Sequence, residues 1–446
     1  MNHTLENESL EIFFFRSESK RKLEIDKTWA FADCTQKQTR YLSHSYHTYP
    51  AKFIPQLAAR LIKEFSQEND IVVDPFMGSG TTVVEALIHG RVGVGVDINP
   101  IAALIAKVKS TPVEPSQLQQ AYWKLETAIF SRQEANSHLF APDIEDIEVV
   151  IPQLERLDYW FLPAQKEQLS LILAHISRLT KPEVRDFFLV AFSQILKSCS
   201  LWLQKSVKPS RDLNKVLPEP VKVFRRQART MMKKNQEFYN ILPTSTQSNL
   251  EKLRQIKCSD ARRIPLPNEA ATLVVTSPPY VTSYEYADLH QLTALWLEYC
   301  DSVGEFRKPF IGSAYSERAT IDLQSPLADD ICKRFGKSKK GQEVRNYFAD
   351  MLECFAEMKR VLKKGGKAGV VIGNTTLKGI PILNAQVFVE QMQYIGFSTF
   401  EIIKREIPSK ILPQTRDPKS GRFTSSANSN KVLAYPVEYI LIMEKQ

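Results

Sequence analysis

Ile71-Val72-Val73-Asp74-Pro75-Phe76-Met77-Gly78-Ser79-Gly80-Thr81-Thr82 is the stretch on which the reading of this chain turns. Three β-branched apolar residues read as a short buried strand ending at Asp74. Gly78 and Gly80 then allow a sharp turn and a close approach of backbone to ligand. A helix from about Thr81 carries Val84, Leu87 and Ile88 and stops near Gly90. Its first turn offers unpaired N–H groups. Val92 to Val96 forms a second strand ending at Asp97, and Asn99 caps a further helix with Pro100 at its first position. Upstream, Leu57, Leu61, Ile62 and Phe65 give an amphipathic helix from Pro55. The series predicts the opening of a doubly wound parallel sheet.

The turn departs from the commoner phosphate cradles. Val83 stands where a dinucleotide fingerprint has its third glycine, and the lysine of a P-loop is missing. A better fit is a ligand with a carboxylate and an amino group near the turn and a ribose near the next strand end. There Asp97 can accept from both hydroxyls.

A second element follows Leu273-Val274-Val275: Thr276-Ser277-Pro278-Pro279-Tyr280. Two prolines after a strand stop pairing and set a rigid loop at its carboxyl end. Open α/β sheets place their ligands there. By itself such a pair is only a stiff loop; beside the glycine turn it suggests chemistry on an exocyclic amine. The lone pair of that amine is delocalised into its ring, and acceptors for its N–H protons free it. Ser277 Oγ and the Pro278 carbonyl are candidate acceptors, and Tyr280 offers a flat face for an extruded base.

Asp74 to Thr82 resembles motif I of the S-adenosylmethionine-dependent DNA amino-methyltransferase family, and Gly95-Val96-Asp97 its motif II. Ser277 to Tyr280 resembles motif IV. Tyr49-Pro50-Ala51-Lys52-Phe53-Ile54-Pro55 is similar to motif X, which closes over the methionine moiety. Asp260-Ala261-Arg262 resembles motif III, whose acid contacts the cofactor adenine, and reads equally as a surface turn. Gly369 to Asn374 lies where motif VIII falls, which makes Asn374 a further site residue. The resemblance implies an α/β, Rossmann-like doubly wound methyltransferase sheet with a closing antiparallel strand pair, interrupted by a mostly helical insertion. It implies S-adenosyl-L-methionine held by Phe53, Pro55, Asp74, Pro75, Phe76, Gly78, Ser79, Gly80, Thr81, Thr82, Asp97 and Asp260. The implied catalytic set is Ser277, Pro278, Pro279 and Tyr280. Ser-Pro-Pro-Tyr looks like the cytosine-N4 subgroup, whereas Asp-Pro-Pro-Tyr is commoner among adenine-N6 enzymes. Attack on a ring carbon needs a thiolate, which in that family follows a proline. None of Cys34, Cys199, Cys258, Cys300, Cys332 or Cys354 does.

The 446 residues exceed one ordinary single core and suggest two domains or one with a large insertion. The expected division is a loosely docked lead-in over 1–40, a first core part over 41–111, a helical insertion over 112–250, and a second core part over 251–446. Helical periodicity marks Leu169 to Leu179, Val184 to Trp202 and Val221 to Tyr239 in the insertion. Further on it marks Tyr286 to Tyr299 and Val344 to Leu362, the latter ended by Gly365-Gly366, with a strand at Ala368 to Ile372. Phe397 to Ile407 and Val437 to Met443 read as the closing pair, with the polar stretch Pro408 to Lys431 as a long loop between them. The insertion before Asp260 departs from the family's usual placing of its recognition segment.

The net charge is +9 with a pI near 9.0. Eleven Lys or Arg and two acids between Lys197 and Lys234 equal that whole excess. So concentrated a charge is the footprint of a polyanion-binding element, with a solvated helix face as the bland alternative. Lys205, Lys208, Arg211, Lys215, Arg225, Arg226 and Arg229 are the candidate phosphate contacts, and the loop from Pro408 a second element. No apolar window spans a bilayer, and the N-terminus lacks the basic region of a secretory leader, so a cytosolic protein is expected. Scattered cysteines without a Cys-x-x-Cys pair argue against zinc and disulfides, and His44 and His47 read as loop or core histidines rather than metal ligands.

The expectation is therefore a site-specific methyltransferase acting on cytosine N4 in double-stranded DNA, in the bacterial cytoplasm at the nucleoid, with or without a cognate restriction endonuclease. Adenine N6 is the alternative target. An RNA methyltransferase and a non-catalytic DNA-binding subunit are the readings from other classes.

Overall fold

The computed structural model describes residues 23–49, 53–135, 147–206, 208–281, 286–312, 321–407, 415–416, 432–433 and 437–446. The first half alternates as α1 (Pro55–Phe65), β1 (Ile71–Asp74), α2 (Thr81–Ile88), β2 (Val92–Asp97) and α3 (Pro100–Lys109). A run of helices follows: α4 (Pro115–Ala135), α5 (Glu155–Trp160), α6 (Pro163–Ser177), α7 (Pro182–Leu196), α8 (Pro220–Ile241), α9 (Thr244–Ser248) and α10 (Leu250–Leu253). The sheet resumes with β3 (Arg254–Cys258) and β4 (Ala271–Thr276), then α11 (Tyr286–Trp296), α12 (Val303–Arg307), α13 (Pro326–Arg334) and α14 (Lys339–Val361). Then come β5 (Leu362–Ile372), the hairpin β6 (Thr375–Leu377) and β7 (Ile380–Ile382), α15 (Asn384–Tyr394), β8 (Phe397–Glu406), β9 (Thr415–Arg416), β10 (Val432–Leu433) and β11 (Val437–Lys445).

One seven-stranded sheet runs in the order β3-β2-β1-β4-β5-β11-β8. The first five strands are parallel, with Val73 opposite both Val94 and Val274. Strand β11 runs antiparallel to β5 and β8, pairing Tyr439 with Ile372 and Ile440 with Ile403. This is the expected doubly wound sheet with its closing pair. Side chains alternate between the two faces. Val72, Leu273, Val275, Val371, Ile440 and Ile442 meet α1, whereas Val73, Val274, Val370, Leu441 and Met443 meet α14 and α15. Both faces are apolar because both are covered.

A second core joins α3, α4 to α8 and α11 around Trp160, Phe187, Phe188, Phe192 and Trp296. Helices α6, α7 and α8 each open on a proline at the first position, residues earlier than apolar periodicity alone suggests. The Arg254 guanidinium donates to Thr111 Oγ1, so the end of α3 and the start of β3 touch across the intervening helices. No helix among the described residues is long and apolar enough to cross a membrane.

Three expectations change. The described part of the lead-in is docked, since Asp26 N–H donates to Lys404 of β8 at 2.8 Å and Trp29 is buried beneath Arg60, whose guanidinium lies 3.7 Å from its ring centre. An indole that can cover apolar sheet and stack on a cation gains too much to stay loose. Helix α14 ends at Val361, and Gly365 (φ +74°) lies within β5, where pairing with β4 shifts register. The glycines there mark an irregular strand, not a helix stop. Of the Pro408 to Lys431 stretch, Thr415 and Arg416 pair with β10, and the rest lies outside the described residues.

Candidate active site

The site forms where the carboxyl ends of β1, β2 and β4 come together, at the point where strand order reverses. Asp74 ends β1 and Thr276 ends β4, and the Thr276 hydroxyl donates to Asp74 Oδ1 at 2.7 Å. Thr82 Oγ1 donates to the Val275 carbonyl at 3.1 Å. The glycine turn and the Ser-Pro-Pro-Tyr turn, about two hundred residues apart in sequence, are thus tied together at their roots.

The turn itself is tight. Gly80 N–H donates to Met77 O at 2.7 Å, and Gly78 and Gly80 have φ of +47° and +79°. A side chain on Gly80 would lie 2.8 Å from Ala106 Cβ, and one on Gly78 3.1 Å from the Tyr49 ring. Asp97 Oδ2 accepts the Gly78 N–H and Oδ1 the Asn99 N–H, both at 2.9 Å. Asn99 also caps α3 through Ile101 N–H, and its side-chain amide lies 2.8 Å from His290 Nδ1. Lys109, fully buried, donates to Ser79 Oγ at 3.1 Å.

Two carboxyls here titrate high. Burial pushes Asp74 up to about 7 against the bonds from Thr276, Thr82 and Phe76, with the Asp97 charge adding to the rise. Burial pushes Asp97 up to about 6 against the N–H groups of Asn99, Gly78 and Ile98. Burial drops His290 to about 4, so the ring is neutral at physiological pH.

On the catalytic turn Pro278 is buried, while Ser277, Pro279 and Tyr280 are partly exposed. Tyr347 of α14 donates its hydroxyl to the Pro279 carbonyl at 2.8 Å. The Tyr280 ring lies 3.1 to 3.5 Å from where a side chain on Gly373, past the end of β5, would stand. Asp260 follows β3, whose end pairs with Asp97, and holds Arg262 through both oxygens at 2.6 to 3.0 Å. Arg262 reaches on to Asp350 at 3.0 Å.

Several candidates are placed differently from the expectation. Phe53 packs into the cluster between α1 and the sheet and Pro55 opens α1, whereas Tyr49 meets the glycine turn. Pro50, Ala51 and Lys52 of the same motif lie outside the described residues. Asn374 Oδ1 accepts the Ala385 N–H at 3.0 Å and its amide bonds Gln386, so the side chain is spent on starting α15. Lys215 is corrected from phosphate contact to internal brace: its ammonium donates to the carbonyls of Lys197, Ser200 and Trp202 at 2.7 to 2.9 Å. Arg225 and Arg229 both pair with Glu126 of α4, at 2.6 and 2.9 Å, with side chains 42% and 56% exposed. Lys205, Lys208, Arg211 and Arg226 are exposed. Tyr347, His290 and Lys109 escaped the sequence reading, for each sits on a helix whose pattern is that of ordinary core packing. Among the described residues no group of three or more His, Cys, Asp or Glu stands close enough to hold a metal ion.

The cradle fits S-adenosyl-L-methionine. Thr81 Oγ1, in the first turn of α2, is buried and unpartnered among the described residues, the glycine turn leaves room only for backbone, and Asp97 ends the neighbouring strand with its carboxylate bonded to that turn. Asp97 would take the ribose and the Gly78 to Thr81 turn the methionine end; the group supplies a methyl on a positive sulfur.

Fold and site together define a methyltransferase, with the Ser-Pro-Pro-Tyr turn tied at its root to a cofactor cradle. The chain belongs to the N6/N4 DNA methylase family, which it matches over residues 4–108 and 271–446. It is 28% identical over 426 residues to the type II methyltransferase M.MvaI of Kocuria varians, covering 89% of this chain and 91% of that one. M.BsoBI of Geobacillus stearothermophilus, also a type II methyltransferase, is 25% identical over 426 residues, covering 80% and 79%. Among solved structures, a putative DNA modification methylase from Thermus thermophilus, complexed with S-adenosyl-L-methionine, aligns over 42% of this chain and 53% of that one, at 18% identity and a TM-score of 0.22. The chain is an S-adenosyl-L-methionine-dependent DNA methyltransferase that modifies an exocyclic amino nitrogen, cytosine N4 or adenine N6.

Proposed function

We propose that the enzyme methylates cytosine N4 at a specific site in double-stranded DNA, in the cytoplasm at the nucleoid, as the modification partner of a cognate restriction endonuclease. The observation that carries the choice of base is the serine at the head of the catalytic turn. Tyr347 takes the Pro279 carbonyl, a bond that fixes the turn while Ser277 Oγ and the Pro278 carbonyl serve as acceptors for the two amino protons. Drawing those protons toward the acceptors restores the nitrogen lone pair that attacks the methyl group. The target must leave the duplex to reach the turn, at a cost of a few kcal/mol that stacking on Tyr280 partly offsets. Lys205, Lys208, Arg211 and Arg226 supply phosphate contacts that hold the duplex in register.

Mass spectrometry of nucleosides from DNA of a host expressing the chain tests the reading. N4-methylcytosine is expected. N6-methyladenine would transfer the assignment to the alternative base, and 5-methylcytosine would overturn the amine mechanism altogether.

A further inference from the structure

We infer that the loop over residues 208–216, ahead of α8, is the element that reads base identity, with Leu213 and Val216 as apolar contacts to base edges in a DNA groove. The inference rests on the DNA reading above and adds the residues that discriminate among sequences.

The loop is braced from within. Besides the three carbonyls held by Lys215, Leu203 N–H donates to Ser210 O at 2.7 Å and Asp212 N–H to Leu201 O at 2.8 Å. Lys197 Nζ and Trp202 Nε1 both donate to Ser206 O, at 2.8 and 3.2 Å. Trp202 stacks on Trp160 with ring centres 5.2 Å apart, which fastens the loop to α5. A fixed loop loses little further freedom when it meets a partner.

What this frame presents is unusual for a surface. Val216 is 93% exposed and Leu213 70%, within a few residues of the exposed cations Lys205, Lys208 and Arg211. Among the described residues no carboxylate forms an ion pair with any of those three cations. The Arg211 guanidinium lies 4.5 Å from the ring centre of Tyr159, itself 42% exposed. A lone exposed aliphatic means nothing. Two on a braced loop among unpaired cations describe a surface made for an anion with apolar edges inside it, which is a duplex groove. Cations on phosphates position a protein, whereas contacts to base edges, including apolar contact with a thymine methyl, carry sequence information.

The loop also connects to the chemistry. Trp160 Nε1 and Arg156 Nη2 both donate to Gln291 Oε1, at 3.3 and 2.9 Å, and Gln291 lies on α11, the helix that follows the catalytic turn.

The test compares the full chain with a Leu213→Ser/Val216→Ser variant and a Lys205→Ala/Lys208→Ala variant. Methyl transfer from labelled S-adenosylmethionine is measured on duplexes carrying the site, mapped first by sequencing methylated DNA, and on its single-base changes, across a salt series. The apolar variant should lose discrimination on the order of tenfold at one or two base pairs, with salt slope, cofactor affinity and melting temperature unchanged. The lysine variant should weaken all sequences alike and flatten the slope by about 0.9 per lost contact. Undiminished discrimination in the apolar variant, or a uniform loss on every sequence, overturns the inference while leaving the DNA reading intact. A wild-type chain that methylates no duplex removes that reading, and the inference with it.

Discussion

Replacing Asp97 by Asn keeps the shape of the side chain and reverses the hydrogen-bonding sense of one atom. In the wild type both oxygens accept backbone N–H groups, from Gly78 and Asn99, at 2.9 Å each. Asn must point its NH2 at one of these donors, so either the glycine turn or the entry to α3 loses its bond. The variant also loses the charged acceptor for the ribose, a loss of about 1–3 kcal/mol in cofactor affinity, or roughly 5- to 150-fold in Kd. Asp97→Ala should weaken binding to the same degree. A pH series adds a separate check. Because burial lifts the Asp97 carboxyl to about 6, wild-type affinity should decline as pH falls through 6, where the acceptor takes up a proton. The Asn variant has no such group and should show no matching decline. Isothermal calorimetry of S-adenosylmethionine binding at pH 5.5 and 7.5 measures both effects. Equal affinities at pH 7.5, or the same pH dependence in the variant, would refute the assignment of Asp97 to the cradle.

Asp74→Asn should stabilise the protein without cofactor. Both bonds at Oδ1 survive in Asn, and the native carboxyl, raised to about 7, keeps its proton where the unfolded chain has lost it. Stability from this group therefore falls as pH rises from about 4 to 7, so the variant's advantage should reach a few kcal/mol at pH 8 and vanish near pH 4. Urea midpoints that differ equally at both pH values would contradict this. Tyr347→Phe removes the bond to Pro279, costing about 1 kcal/mol of stability; kcat should drop while cofactor affinity holds, and an unchanged kcat would dismiss the positioning role. Tyr280→Ala should likewise slow turnover more than it weakens cofactor binding, as paired single-turnover and calorimetric measurements would reveal. Lys215→Met strands three carbonyls, and hydrogen exchange across 200–216 should accelerate; equal protection would mean that the loop is held by other means.

The β1–turn–α2 unit and the Ser-Pro-Pro-Tyr turn were legible because each is a contiguous stretch whose backbone needs a particular chemistry. The closing pair showed itself through alternation. What the sequence concealed are pairings between distant residues. Nothing near Tyr347 hints at Pro279, 68 positions away, nor anything near His290 at Asn99, 191 positions away. Charge counting found the basic window but could not separate a lysine that faces solvent from one wrapped in carbonyls. Lys208 and Lys215 look alike on paper, and only tertiary structure divides them. Trp29 was missed for a related reason: a single aromatic in a polar stretch has no period, and its burial depends on a sheet edge built some 370 residues later.

The contact between Arg254 and Thr111 joins residues 143 positions apart. A chain that skipped everything between them would still carry α3 back to β3 as a right-handed crossover, the connection that such sheets require. The helices thus hang from the enzyme as a cassette whose two ends meet. Closing a loop costs only about 0.6 kcal/mol more for each doubling of its length, so the chain connection itself sets little limit on the size of what is inserted. The remaining constraint is the shared core, where α3 and α11 pack with the inserted helices around Phe187, Phe192 and Trp296 and Gln291 holds Arg156 and Trp160. A lineage that preserves this packing can vary the outward loops of the inserted helices while the sheet and its two turns stand still.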